Sequence, residues 1–382
     1  MTYLAKSARV AGVTLIAGLL IASAYFTSLP QTALLALGMI AGIAFLTASF
    51  GFATAWRDLV TGRSTRLFRA QLLMIGAASL VMAPLIALSP DLNGFVRPVG
   101  VSLLVGAFIF GVGAQIANGC SSGSLFHLGQ GRIQSIAVLL AFGLGTMLAI
   151  RDYDDWLEAP IFFAESLTRS FGPWLGTGLL LAGLVALFAI AGRNPLGWFK
   201  DPKSRPVLIA ALVLAAVNLG ILLVSGRPWS TAQGFALIGT QLDTAQGWEW
   251  DLDFSAFWSS DLMASRLENP WFMDSFLMPN LGVIAGAIGA GLLSGKFHPG
   301  AIKVLPLAGA LLGGVLMGYG ATIAFGCNIG ALFSGIASGS VHGWIWLLPA
   351  LAGSWVGVKL RPAFGYPNAS ENTTFFKAAA TS

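Results

Sequence analysis

The chain has 382 residues, of which 56% are hydrophobic and 10% charged, where a soluble domain carries about 25% charged residues. Its 21 basic and 16 acidic side chains cannot cover a water-facing surface of this size, and a mean hydropathy of +0.78 makes lipid the solvent. A soluble enzyme or a nucleic-acid-binding domain is thereby excluded. Two cysteines and three histidines leave no room for a disulfide framework or an iron–sulfur cluster and little for haem, so no cofactor and no metal is expected.

Apolar stretches of spanning length run over 10–27, 31–55, 68–88, 99–118, 133–150, 173–191, 207–224, 276–295, 304–324 and 343–358. The expectation is an all-α polytopic membrane protein with about ten transmembrane helices. The first stretch follows Lys6 and Arg9 and ends in Ala22-Ser23-Ala24, which also reads as a cleavable signal peptide. An apolar counterpart in the second half favours a retained span. Between the spans lie Gly-rich pieces too short to cross alone, 119–132 and 325–340, and a polar-aromatic stretch, 225–275; these are candidate half-helices or re-entrant loops. Trp248, Glu249, Trp250, Asp251 and Asp253 have no accompanying nucleophile and read as an outer amphipathic segment with interfacial tryptophans.

Charge sets the orientation. With the N-terminus in the cytoplasm, every basic residue except Arg97, Arg151, Arg169, Arg227 and Arg266 falls on the inner side, and most acids fall outside. Both termini are then cytoplasmic. The sequons at Asn368 and Asn372 fall inside and carry no weight.

Residues 111–126 read GVGAQIANGCSSGSLF and residues 318–333 read GYGATIAFGCNIGALF. The offset of 207 aligns Gly111 with Gly318, Gly119 with Gly326, Cys120 with Cys327 and Gly123 with Gly330, so both cysteines of the chain sit in one internal duplication. By parity, the span before Cys120 runs inward and the span before Cys327 outward. Two inverted repeats are expected, with Cys120 approaching from the cytoplasmic side and Cys327 from the other. The division is 1–172 for the first repeat, 173–206 for a linking helix and loop, 207–361 for the second repeat and 362–382 for a cytoplasmic tail.

The chemistry of the duplicated loops favours an anion. Glycines at 119, 123, 326 and 330 free the backbone for tight turns, and each cysteine should sit where a short helix begins, among exposed N–H groups. Asn118, Ser121, Ser122 and Asn328 add polar groups, and His127 is close enough to Cys120 to join them. The plain alternative is that small residues permit helix packing and cysteine acts as a small hydrophobe; two cysteines at equivalent positions weigh against it. A membrane thiol–disulfide redox protein using Cys120 and Cys327 is a second alternative, although no Cys-x-x-Cys pair is present.

At these residues the sequence resembles the YeeE/YedE family of bacterial inner-membrane proteins, whose members take up thiosulfate and are linked in some cases to selenium metabolism. The duplicated G-x-G-x-x-I/L-A-x-G-C-x-x-G carries the likeness, with Phe52-Ala53-Thr54-Ala55-Trp56-Arg57-Asp58 and Arg227-Pro228-Trp229 as further matches. The resemblance implies an hourglass-like transporter with inverted halves, in which Cys120 and Cys327 pass a sulfur anion along a central pathway. It makes Arg57 and Arg227 secondary site candidates, and it implies a small sulfur-containing substrate and a cytoplasmic TusA-like sulfur-carrier protein as partners. Two departures matter: Gly51 stands where such members carry a third cysteine, and Ser124 and Ala331 stand where they tend to have histidine. An acidic outer surface also opposes an anionic substrate, unless a positive vestibule, lined by Arg227 or Arg266, receives it.

Overall fold

The computed structural model describes residues 3–367 except 193 and 249; the sequons and most of the C-terminal tail therefore lie outside the described residues. The chain is a multi-pass, all-α membrane protein. Its principal helices are α1 (Tyr3–Phe26), α2 (Leu29–Ala48), α3 (Phe52–Val60), α4 (Arg66–Leu88), α5 (Val101–Ile116), α6 (Ser121–His127), α7 (Gln134–Arg151), α8 (Pro173–Ile190), α9 (Ser204–Ser225), α10 (Thr231–Gln246), α11 (Leu277–Ser294), α12 (Val304–Ile323) and α13 (His342–Leu360). Among the described residues nine helical segments are long and apolar enough to span, and the remaining apolar stretch forms the 19-residue α13. A π-helix, Asn328–Ser334, precedes α13. Strands Val99–Gly100 and Ile161–Phe163 form a small antiparallel pair beside the start of α5.

Lipid tails are as apolar as leucine, so helices in a membrane associate through close backbone approach. The α2–α11 contact uses two reciprocal small-residue pairs. Gly38 and Gly42 face the carbonyls of Pro279 and Val283, while Gly282 and Gly286 face those of Leu35 and Met39. The same device seats α5 on α13, where Gly111 meets the Ala350 carbonyl, and α12 on α7, where Gly318 meets the Phe142 carbonyl.

The packing partners come in matched sets. α7 lies on α12 as α13 lies on α5; α2 lies on α11 as α9 lies on α4; α1 lies on α11 as α8 lies on α4; and α5 with α12, and α2 with α9, meet at the middle. The central helices α5 and α12 run opposite ways. α5 starts three residues beyond Pro98 and ends near Asn118, whereas α12 starts against Gly365 and ends near Phe325.

Gly111→Val and Gly318→Val should each push a branched side chain into a partner carbonyl and destabilise the bundle by about 1–3 kcal/mol. Thermal unfolding of the purified protein in detergent checks this; Gly178→Ala, whose added methyl meets nothing within 4 Å, should not lower Tm.

Candidate functional site

Both central helices break in the same way. At the end of α5 the Asn118 N–H donates to the Gln115 carbonyl at 3.2 Å and the Gly119 N–H to the Ala114 carbonyl at 3.0 Å. At the end of α12 Phe325 donates to Thr322 at 3.2 Å and Gly326 to Ala321 at 2.7 Å. The turning residues, Asn118 (φ 57°) and Phe325 (φ 59°), are left-handed. Asparagine tolerates that conformation, whereas in phenylalanine it costs about 1–2 kcal/mol. Gly326, at φ 153°, adopts a backbone that only glycine takes readily.

Each break delivers a cysteine to the start of the next helix. Cys120 is the N-cap of α6: its Sγ accepts the Gly123 N–H at 3.3 Å and lies 3.4 Å from Ser122 Oγ. Cys327 is the N-cap of the π-helix, a rare geometry that is frequent at functional sites. Both thiols are free and fully buried.

The two loops are tied together by side chains. Asn328 Nδ2 donates to Ser122 Oγ at 3.1 Å, and Ser121 Oγ donates to Asn328 Oδ1 at 3.5 Å. All three residues are buried, so these bonds satisfy polar atoms that would otherwise be stranded in a dry interior.

The stretch after α9, one of the candidate re-entrant segments, contributes to this centre through its first residues. Trp229 is fully buried and its N–H donates to Asn218 Oδ1 at 2.8 Å, while its indole donates to Asn280 Oδ1 at 3.1 Å. Ser334 of the π-helix donates to the Trp229 carbonyl at 2.7 Å. α10 therefore begins in the middle of the protein, with Ser230 beside Gly330, and the exposed aromatic part of the stretch, including Trp248 and Trp271, comes only later.

A cavity opens at each end of the α5–α12 pair. One, of about 190 Å³, is lined by Arg97, Tyr153, Ser230, Gln233, Thr322, Phe325 and Gly326. The other, of about 430 Å³, is lined by Gly51, Thr54, Arg57, Arg63, Asn118, Phe126, His127, Arg132, Arg361 and Tyr366. Neither lining includes a thiol. The first cavity ends one residue short of Cys327 and the second ends two residues short of Cys120.

The arginines divide differently from the sequence expectation. Arg266 is committed to a buried ion pair with Asp274 at 2.7 Å and to Gln233, and does not line the cavity. Arg227 packs over the Phe276 ring at 5.9 Å and is not among the residues that line either cavity. Arg97, which the sequence reading passed over, supplies the positive charge of the first cavity. On the opposite side Arg361 donates to the Gln115 carbonyl at 2.7 Å and to Asn118 Oδ1 at 2.9 Å, and Arg57 reaches the same Asn118 oxygen at 3.5 Å. Arg361 thus caps the C-terminus of α5 with a cation. Burial, reinforced by Arg57, lowers its pKa to about 10, so it stays charged at neutral pH. His127 sits against Gly119, at the rim of this second cavity.

With Cys120, Ser121, Ser122 and Asn328 gathered at one point and an arginine-lined cavity at either end, the arrangement suits a small anion crossing between two aqueous spaces. The family described as "Sulphur transport" matches residues 47–356. The chain belongs to this family. That places it among transporters rather than enzymes, and the matched region holds both cysteine loops, although Arg361 and Tyr366 lie beyond it. As a family member it is similar to a thiosulfate transporter, TsuA, of Spirochaeta thermophila, 24% identical over 84% of this chain and 96% of that one. TsuA of Escherichia coli is also 24% identical, over 85% of this chain and 94% of its own. A probable transporter, YedE, of Escherichia coli is 29% identical over 42% of this chain and 39% of its own.

Asn328→Leu should leave the Ser121 and Ser122 hydroxyls without their partner and cost about 1–3 kcal/mol. A fall in Tm, together with faster alkylation of Cys120 by a small thiol reagent, is the expected outcome.

Proposed function

We propose that this chain takes up a small sulfur oxyanion of the thiosulfate type along a path from the Arg97 cavity, past Cys327 and then Cys120, to the Arg361 cavity. The observation that carries the reading is the meeting of two broken helices, each presenting a buried cysteine, through the bonds of Asn328 to Ser121 and Ser122. The names of the full-length relatives support thiosulfate as the substrate class.

In this reading the Arg361 face is cytoplasmic, since the basic residues concentrate there. The protein sits in a bacterial inner membrane with both termini inside, and a cytoplasmic TusA-like carrier takes over the sulfur as it leaves. The matched packing sets and the opposed courses of α5 and α12 support inverted repeats. They also favour giving α8 to the second repeat, in the place that α1 holds in the first, instead of treating it as a linker.

Moving a dianion through the membrane interior is costly unless donors replace its water. Ser121, Ser122, Asn328 and the thiols are the donors within reach of the broken helices. The sealed thiols correspond to an occluded state, and passage needs Phe325 on one side and Phe126 on the other to give way. Arg97 answers the difficulty of the acidic outer surface by placing a cation in the outer vestibule itself. Gly51 lines the inner vestibule where the resemblance has a third cysteine, so transfer here runs between two thiol stations.

Uptake of radiolabelled thiosulfate by cells expressing the protein tests this. Cys120→Ala and Cys327→Ala should each reduce uptake at least tenfold at unchanged expression, and wild-type uptake by the double variant would refute the pathway. Arg97→Gln should raise KM with little change in the maximal rate, and the effect should shrink as ionic strength rises because it acts by steering.

A further inference from the structure

The cavity on the Arg361 face carries more charge and more room than a small sulfur oxyanion uses. Arg57, Arg63, Arg132 and Arg361 line it, and no aspartate or glutamate does so among the described residues. Asp58, beside Arg57 and Arg63, offsets part of this charge from outside the lining. The hydrogen bonds of Arg57 and Arg361 within the site go to neutral oxygens, Asn118 Oδ1 and the Gln115 carbonyl. A single dianion would leave much of this positive charge unpaired. The volume, about 430 Å³, falls in the range of roughly 300–1,000 Å³ that suits ligands far larger than one tetrahedral group.

We propose that this cavity binds a linked pair of phosphate groups, as in a nucleoside diphosphate, entering from the arginine-rich face. Guanidinium forks match phosphate oxygens two at a time, and four of them around one space suit two adjacent phosphates better than one. Tyr366, whose ring lies 4.7 Å from the Arg361 guanidinium, offers an aromatic surface for a base. The site stands on its own geometry; only its position across the exit, and hence a slowing of uptake when it is filled, rests on the transport reading above. Its coupling to the pathway is direct. Arg57 and Arg361 both hold Asn118, the left-handed residue that turns the chain into the Cys120 loop, so an occupant that draws either guanidinium away loosens that loop.

Two linked phosphates also occur in the headgroup of cardiolipin, where glycerol bridges two phosphodiesters, and the experiment separates the two sources. Isothermal titration of the purified full-length protein with ADP, inorganic pyrophosphate and inorganic phosphate should show ADP and pyrophosphate binding at least tenfold tighter than phosphate. Arg63→Gln and Arg132→Gln, both on the exposed rim, should each weaken ADP tenfold or more, with Arg132→Lys losing less. Cys120→Ala should leave ADP binding intact even where it abolishes uptake, so failure of the transport reading and failure of this one give different results. Equal affinities for ADP and phosphate, or no loss in the arginine variants, would overturn the proposal. In nanodiscs, cardiolipin that copurifies with the wild type, blocks ADP and is lost in Arg132→Gln would assign the site to the lipid headgroup; ADP binding unchanged by cardiolipin would assign it to the soluble ligand.

Discussion

A backbone that breaks inside a membrane must find hydrogen-bond partners within the protein, because lipid offers none. The core of this protein depends on how two such breaks are satisfied. At the ends of α5 and α12 the chain folds back on its own carbonyls with the same two bonds, leaving the following loop free to present a cysteine. What remains unsatisfied is met from a distance: Arg361 covers the Gln115 carbonyl, the Gln115 side chain covers Ala53 at 2.9 Å, and Asn328 covers two serines of the opposite loop. Each partner comes from another part of the chain, so the fold and the site are stabilised by the same contacts.

Glycine makes the arrangement dense enough to work. Where Gly111 and Gly318 abut carbonyls of α13 and α7, the helices that carry the cysteine loops are fixed against their neighbours with no side chain between them. Close approach also keeps water from the thiols, which leaves any anion there dependent on the few donors that the loops provide. The side chains of the two loops are tied to one another, Asn328 to Ser121 and Ser122, whereas the buried Gln115 Oε1 and the Trp56 and Trp346 indoles have no hydrogen-bond partner among the described residues.

The spans, the duplication and the cysteine loops were legible because each has a signal that repeats: apolar length, an offset of 207, and Gly-Cys-x-x-Gly. The residues that the sequence did not yield have no such signal. Arg97 and Arg361 are single residues in connections, distinguished only by what they face once the helices are packed. Trp229 and Ser230 lie in a stretch that reads as a candidate re-entrant segment, but which of its residues reach the centre follows from Asn218 and Asn280, which lie on other helices and leave no mark in the spacing. Arg266 misled for the opposite reason: its partner Asp274 lies eight residues away, and nothing in the spacing shows that the two neutralise each other inside the fold.

The uneven sharing of arginines bears on energetics. A dianion entering a cell against an inside-negative potential of 100 mV pays about 4.6 kcal/mol, at roughly 2.3 kcal/mol for each charge. On the proposed path, the arginines of the Arg361-face cavity cannot supply that energy, because attraction gained on arrival is lost on departure; they raise local occupancy and slow release. The net drive has to come from consumption of the product or from a coupled ion, and the strongly basic vestibule makes release the step most sensitive to it. If substrate takes the proposed path, a competing anion on the Arg361 face would therefore act on flux more strongly than any change at the Arg97 cavity, where substrate only has to arrive.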